Sequence, residues 1–209
     1  YADFFLKNSD FIKTGNKFII PFPAPHIAPA PPSKHNSNVE IDIVIPVYNE
    51  CGNIVSVLDS LFEHVKTPYR VLICYDIDED DTLAVLDNYP PERAEIMLVK
   101  NYGQGPNQAV ISGFRASTAP AVLVHMADDD YNAPLIDQMY QQFKMGHDVI
   151  TGSRYIKGGC YQGAPLLKQI LTRTASFTLY HLRGMPIHDA TNGFRLFSRR
   201  LIDTVELTS

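Results

Sequence analysis

The chain of 209 residues is 45% hydrophobic and 20% charged with a net charge of −5, enough for one well-buried domain and too short for two generous ones. Three cysteines, Cys51, Cys74 and Cys160, are odd in number and widely spaced, which suggests neither a disulfide framework nor a zinc knuckle and fits a reducing compartment such as the cytoplasm. An acidic balance gives no reason to expect a nucleic-acid partner.

No apolar run approaches the roughly 20 residues that span a bilayer, and the start lacks the layout of a signal peptide. Membrane contact, where present, is expected to be peripheral, on the cytoplasmic face. The chain opens on Tyr1, as a trimmed piece of a longer protein would, and spanning helices beyond either end stay open.

Residues 1–38 differ from the rest. Pro21, Pro23, Pro25, Pro29, Pro31 and Pro32 crowd together, favouring extended polyproline-like chain over helix. Phe4, Phe5, Leu6, Phe18, Ile19 and Ile20 give the segment apolar material, so it is expected to pack as an N-terminal arm on a domain spanning 39–209.

From Val39 onward strands are expected at 41–46, 69–75, 95–100, 121–126 and 148–151, each followed by a helical stretch. Ile54, Val57, Leu58, Leu61, Phe62 and Val65 recur at helical spacing, as do Leu135, Ile136, Met139, Tyr140 and Phe143. Such alternation implies an α/β fold: a mostly parallel open sheet with helices on both faces.

Polar clusters follow successive strands: Tyr48 to Glu50, Asp76 to Asp81, Asn101 to Gly105, Asp128 to Asp130, and Gly152 to Tyr155. These are carboxyl ends, where an open α/β sheet places its ligand crevice. Loops that merely reverse the chain need no such concentration of carboxylates.

Asp76 ends its strand and can accept hydrogen bonds from a base edge, while Asp80 or Asp81 with Thr82 suits a helix cap. Gly103, Gln104 and Gly105 form a tight turn into a helix opened by Pro106, either a plain turn or one that brings backbone close to a nucleotide or sugar. Asp128 and Asp130, at alternate positions leaving a buried strand, could share one divalent cation, with Asn132 as a third oxygen or holding a water. Without a counter-ion such packing of like charge costs stability; the alternative is a solvated acidic turn capping the next helix.

Arg154, fixed at a strand end, suits a bidentate grip on phosphate. Lys168, Thr172 and Arg173 at one-turn spacing form either a second anion grip or the polar face of an amphipathic helix. From Arg154 on, eight basic residues face three acidic ones, which fits an anionic acceptor as well as it fits uneven surface charge. Asp189 and Arg195 flank the polar run before a last short apolar strand, and His188 takes no role.

IVIPVYNE at 43–50, the acidic strand end at Asp76, NYGQGPNQAVISGF at 101–114, DDDYNAP at 128–134, GSRYIKGG at 152–159 and HDATNGFRLFSR at 188–199 together resemble the dolichyl-phosphate mannosyltransferase group of glycosyltransferase family 2. The resemblance runs from about Val39 to the end of the chain. It implies a GT-A type nucleotide-diphospho-sugar transferase fold and inverting, metal-dependent transfer of mannose or glucose from a nucleoside-diphosphate sugar to a polyprenyl or dolichyl phosphate.

By the same resemblance Pro46, Tyr48, Glu50, Asp76, Gln104, Gly105, Asp128 and Asp129 bind the nucleotide sugar, and Asp128, Asp130 and Asn132 hold Mg²⁺ or Mn²⁺. Arg154, Lys168, Thr172 and Arg195 hold the acceptor phosphate. Asp130, Arg154 and Asp189 are the expected catalytic residues, Asp189 orienting the sugar or acceptor loop. Tyr75 replaces one of the usual aspartate pair, Asn132 a glutamine and Lys168 an arginine. Two rivals are a family 2 transferase acting on a sugar hydroxyl, with Asp189 as base, and a catalytically silent nucleotide-sugar-binding subunit.

Overall fold

A computed structural model of the chain describes residues 12–14, 17–19, 38–101, 103–154, 171, 173, 174, 176–178, 180, 189, 192–205 and 207. The chain divides into two compact units, one of Tyr1–Pro32 with Ser153–Asn192, the other of Ser33–Gly152 with Gly193–Ser209. In the first, strands β1 (Ile12–Thr14) and β2 (Lys17–Ile19) pair antiparallel. The proline-rich stretch, Lys168, Thr172, Tyr155, Gly158, Gly159, Cys160 and His188 lie outside the described residues.

The second unit runs β3 (Ile41–Val47), α1 (Ile54–His64), β4 (Tyr69–Tyr75), α2 (Asp81–Leu86), β5 (Ile96–Lys100), α3 (Gly105–Ala116) and β6 (Ala121–Val124). A 3-10 turn, Ala133–Leu135, then leads into α4 (Ile136–Lys144), followed by β7 (Val149–Thr151), β8 (Arg195–Ser198) and α5 (Arg199–Thr204). The six strands lie in the order β5-β4-β3-β6-β8-β7. Strands β3, β4, β5 and β6 are parallel neighbours, whereas β8 runs antiparallel to both β6 and β7. The sheet is thus mostly parallel, with one reversed strand inserted between two that share a direction.

Every residue of β3 is buried, as expected of a central strand covered on both faces. On one face Ile41, Ile43, Ile45 and Ile73 pack with Ile54, Val57, Leu58 and Leu61 of α1 and Ile136 and Met139 of α4. On the other, Val44, Leu72, Cys74 and Val122 meet Ala109 of α3 and Ile202 of α5. Helix α3 rests on the sheet through Gly113, where a Cβ would stand 2.4 Å from Val44 Cγ1 and 2.9 Å from Cys74 Sγ. Only a residue without a side chain permits that approach.

The amino ends of β3 and β4 are tied by a buried ion pair. Arg70 Nε donates to Asp42 Oδ1 and Arg70 Nη2 to Asp42 Oδ2, both at 3.0 Å, and Nη2 also reaches Thr118 Oγ1 at 3.0 Å. Asp42 Oδ2 further accepts from the Thr118 and Ala119 amides at 2.7 and 2.9 Å. No helix among the described residues is long and apolar enough to cross a membrane.

Candidate active site at the carboxyl edge of the sheet

The parallel strands β3, β4 and β5 open their following loops along one edge. After β3, Tyr48 is 62% exposed, a surface on which a planar base can stack. Asn49 takes a left-handed φ of 56°, and Glu50 receives the Asn53 side-chain amide at 2.8 Å. Pro46 lies buried within β3, opposite Cys74, so it shapes the strand end rather than an open wall.

Asp80 caps α2, accepting from Thr82 N at 2.9 Å, as its position before the helix predicts. It also receives Asn49 N on both carboxylate oxygens, at 3.2 Å each. Asp76 uses both oxygens on the next loop, receiving Asn101 Nδ2 at 2.6 Å and Gly105 N at 2.8 Å. Asn101, 4% exposed, also accepts from Gly103 N and Ser112 Oγ, each at 3.0 Å. Asp76 therefore fixes the turn at Gln104 and Gly105, where Gly105 has a φ of 82°, and Gln104 is left exposed.

Beyond β6 the acidic run separates into two roles. Asp129 organises the loop, accepting from the amides of Tyr131 at 3.3 Å and Asn132 at 3.2 Å and from Asn132 Nδ2 at 2.5 Å. Ser60 of α1 ties the loop down by donating to the Asp130 carbonyl at 2.6 Å. Asp128 is exposed and Asp130 half-buried, and among the described residues their carboxylates meet no hydrogen-bond donor.

No group of three or more His, Cys, Asp or Glu side chains among the described residues forms a closed metal cage. Two unengaged carboxylates nevertheless fit Mg²⁺ or Mn²⁺, hard cations commonly held by one or two carboxylates with the remaining positions left to water and substrate phosphates. Asn132 donates its amide nitrogen to Asp129, a bond that leaves the amide oxygen as the atom that would serve as a third ligand.

His125, three residues before Asp128, is fully buried, stacks edge-on against Phe194 at 5.3 Å, and has Nδ1 2.9 Å from the Met126 carbonyl. Burial holds its imidazole below the ordinary value of 6.5, against the pull of the Asp129 and Asp128 charges. The native state keeps His125 neutral while the unfolded chain takes up a proton near 6.5, so stability is full above that pH and falls as pH drops below it. Urea midpoints at about pH 7.5 and about pH 5.5 should therefore differ less for His125→Leu than for the parent protein; an equal difference would remove His125 as the source.

In the other unit, Arg154 and Asp189 form a pair that their separation in sequence concealed. Arg154 Nε donates to Asp189 Oδ2 at 2.8 Å, Nη2 to Oδ1 at 2.7 Å, and the Arg154 amide to Oδ2 at 3.1 Å. Asp189 is fully buried and the Arg154 side chain 21% exposed. The guanidinium fork is thus held by a carboxylate, and Asp189 is saturated with donors. Arg195 opens β8, 9% exposed, in register with Val124 and Thr151 at the carboxyl ends of β6 and β7.

A cleft of about 320 Å³ lined by Phe62, Thr67, Tyr69, Arg93 and Glu95 lies just before β4 and β5, at the opposite end of the sheet. It contains none of the candidate site residues. Sequence reasoning missed the Ser60 tether and the use of Asp80 on the β3 loop. The one available signal was the run of carboxylate and hydroxyl groups at 80–82, beyond what a single cap needs.

The family model for "Glycosyl transferase family 2" matches residues 42–205. Polyprenol monophosphomannose synthase of Mycolicibacterium smegmatis is 28% identical over 173 residues, covering 80% of this chain and 64% of that protein. Dolichol-phosphate mannosyltransferase of Pyrococcus furiosus is 25% identical over 178 residues, covering 81% and 49%. The chain spans about half to two thirds of the length of these two relatives. Glucosyl-3-phosphoglycerate synthase from Mycobacterium tuberculosis, solved with Mn²⁺, uridine diphosphate and glucosyl-3-phosphoglycerate, superposes with a TM-score of 0.58 at 18% identity, covering 79% of this chain and 58% of that one. S. aureus TarS with uridine diphosphate gives a TM-score of 0.54 at 16% identity, covering 79% and 48%.

Proposed function

The chain belongs to glycosyl transferase family 2 and has its GT-A type fold, and from that premise we propose that it moves a hexose from a nucleoside-diphosphate sugar to a polyprenyl phosphate. The observation that carries this reading is the acidic loop after β6, where Asp129 and Ser60 hold the main chain while Asp128 and Asp130 stay unengaged. Asp128 and Asp130 would hold Mg²⁺ or Mn²⁺, and Tyr48, Glu50 and the Asp76-fixed turn would receive the nucleoside. When bound, the cation supplies Lewis-acid relief of the charge that builds on the departing diphosphate.

An acceptor phosphate is already anionic near neutral pH and needs positioning more than deprotonation. Asp189 orients the Arg154 fork for that anion, with Lys168 and Thr172 as further ligands. The same pairing disfavours the hydroxyl-acceptor rival, because a carboxylate whose oxygens are taken by the Arg154 amide and guanidinium is not presented to an incoming hydroxyl. The relatives named for polyprenol monophosphomannose and for transfer to dolichyl phosphate support the lipid acceptor, which would bring the protein to a membrane surface.

Incubation with labelled GDP-mannose or UDP-glucose, Mn²⁺ and a polyprenyl phosphate should put label into the organic phase. Label on a glycan alone would overturn the lipid acceptor, and donor binding without turnover would overturn the enzyme.

A further inference from the structure

The main chain that presents Tyr48 and Glu50 is held from outside as well as by its own turn, in which the Glu50 carbonyl accepts from the Asn53 and Ile54 amides at 3.0 Å each. Three successive amides after β3 are bound from across the neighbouring loop: Asn49 N by Asp80, Glu50 N by Thr82 Oγ1 at 2.9 Å, and Cys51 N by Asp81 Oδ1 at 3.2 Å. The loops leave adjacent strands side by side, Val47 being in register with Tyr75. Asn49 sits in the left-handed region, which asparagine tolerates better than other side-chain-bearing residues, so residue choice and the bonds from the neighbouring loop both shape this turn. The clamp is buried, Asp80 at 3% and Thr82 at 0%, whereas Tyr48 is 62% exposed.

We propose that Asp80 and Thr82 are positioning residues for donor binding, holding residues 49–51 in the one arrangement that offers Tyr48 and Glu50 to a nucleoside diphosphate. The inference rests on the nucleotide-sugar reading of this edge. Helix capping alone does not account for the pattern. The cap of α2 is the bond from Thr82 N to Asp80, whereas the Thr82 hydroxyl receives Glu50 N and so separates loop support from capping.

The test compares Thr82→Val, which keeps volume and removes the acceptor, with Thr82→Ser, which keeps the acceptor and removes a methyl. Dissociation constants for UDP and GDP with Mn²⁺ are read by titration calorimetry in the cold, where circular dichroism shows each variant folded. Thr82→Val should weaken binding of the preferred nucleotide by about ten-fold or more, through the stranded Glu50 amide and the loosened loop. Thr82→Ser should restore it. Equal affinity in the parent and both variants, or equal weakening in Val and Ser, would overturn the clamp while leaving the proposed function intact. A parent protein that binds neither nucleotide would sink both.

Discussion

Exchanging Asp128 and Asp130 together for asparagine is expected to cut sugar transfer by on the order of a thousand-fold or more while leaving the apoprotein no less stable. The two carboxylates meet no donor among the described residues, and one of them is exposed. Removing their charge therefore breaks no internal contact and relieves like-charge crowding. What is lost is the pair of hard oxygen anions for a divalent cation, so Mn²⁺ affinity measured on the resting protein should fall in parallel. Asp129→Asn should behave in the opposite sense, because Asp129 receives two amides and the Asn132 side chain and its loss unpicks the loop. Full activity in the double variant, or in metal-stripped protein, would refute the cation assignment.

The second large effect is on stability and lies at the other end of the sheet. Asp42→Ala should cost about 3–5 kcal/mol, because it strands a buried guanidinium. Asp42 is fully buried, Arg70 is 6% exposed, and the carboxylate also holds the amides of Thr118 and Ala119. Asp42→Leu combined with Arg70→Met should recover much of the loss, since two apolar side chains leave no uncompensated charge. Urea unfolding of the parent, the single variant and the double variant decides the matter. A loss under about 1 kcal/mol for Asp42→Ala would show that the pair is solvated.

The central strands were legible because β-branched runs such as IDIVIP and YRVLICY have no other way to bury both faces. β4 spans Tyr69–Tyr75 as expected, and β3 extends one residue further, to Val47. β6 stops at Val124, two residues short of expectation, although His125 N still bonds to the Val44 carbonyl at 2.9 Å. The reversed course of β8 was not legible: periodicity in a four-residue strand carries no information about direction. Within the site, the acidic loop was foreseeable from carboxylates leaving a buried strand. The division of labour inside it was not, because it depends on Ser60, 70 residues away from Asp130 in sequence. The pairing of Arg154 with Asp189, 35 residues apart, escaped for the same reason: periodicity and motif spacing say nothing about contacts between distant segments.

The inserted β8 also bears on how the chain assembles. Among the described residues β7 pairs with the sheet through β8 alone, and β8 also supplies the outer neighbour of β6. A nascent polypeptide that has emerged as far as Thr151 therefore has a β6 rim with unmatched amides and a β7 that can pack on α4 but has no strand to pair with, and both wait until Ser198 has left the ribosome. Such delayed, long-range zippering is slow and leaves sticky rims open to other chains, so the stage between these two points is where a chaperone has the most to shield.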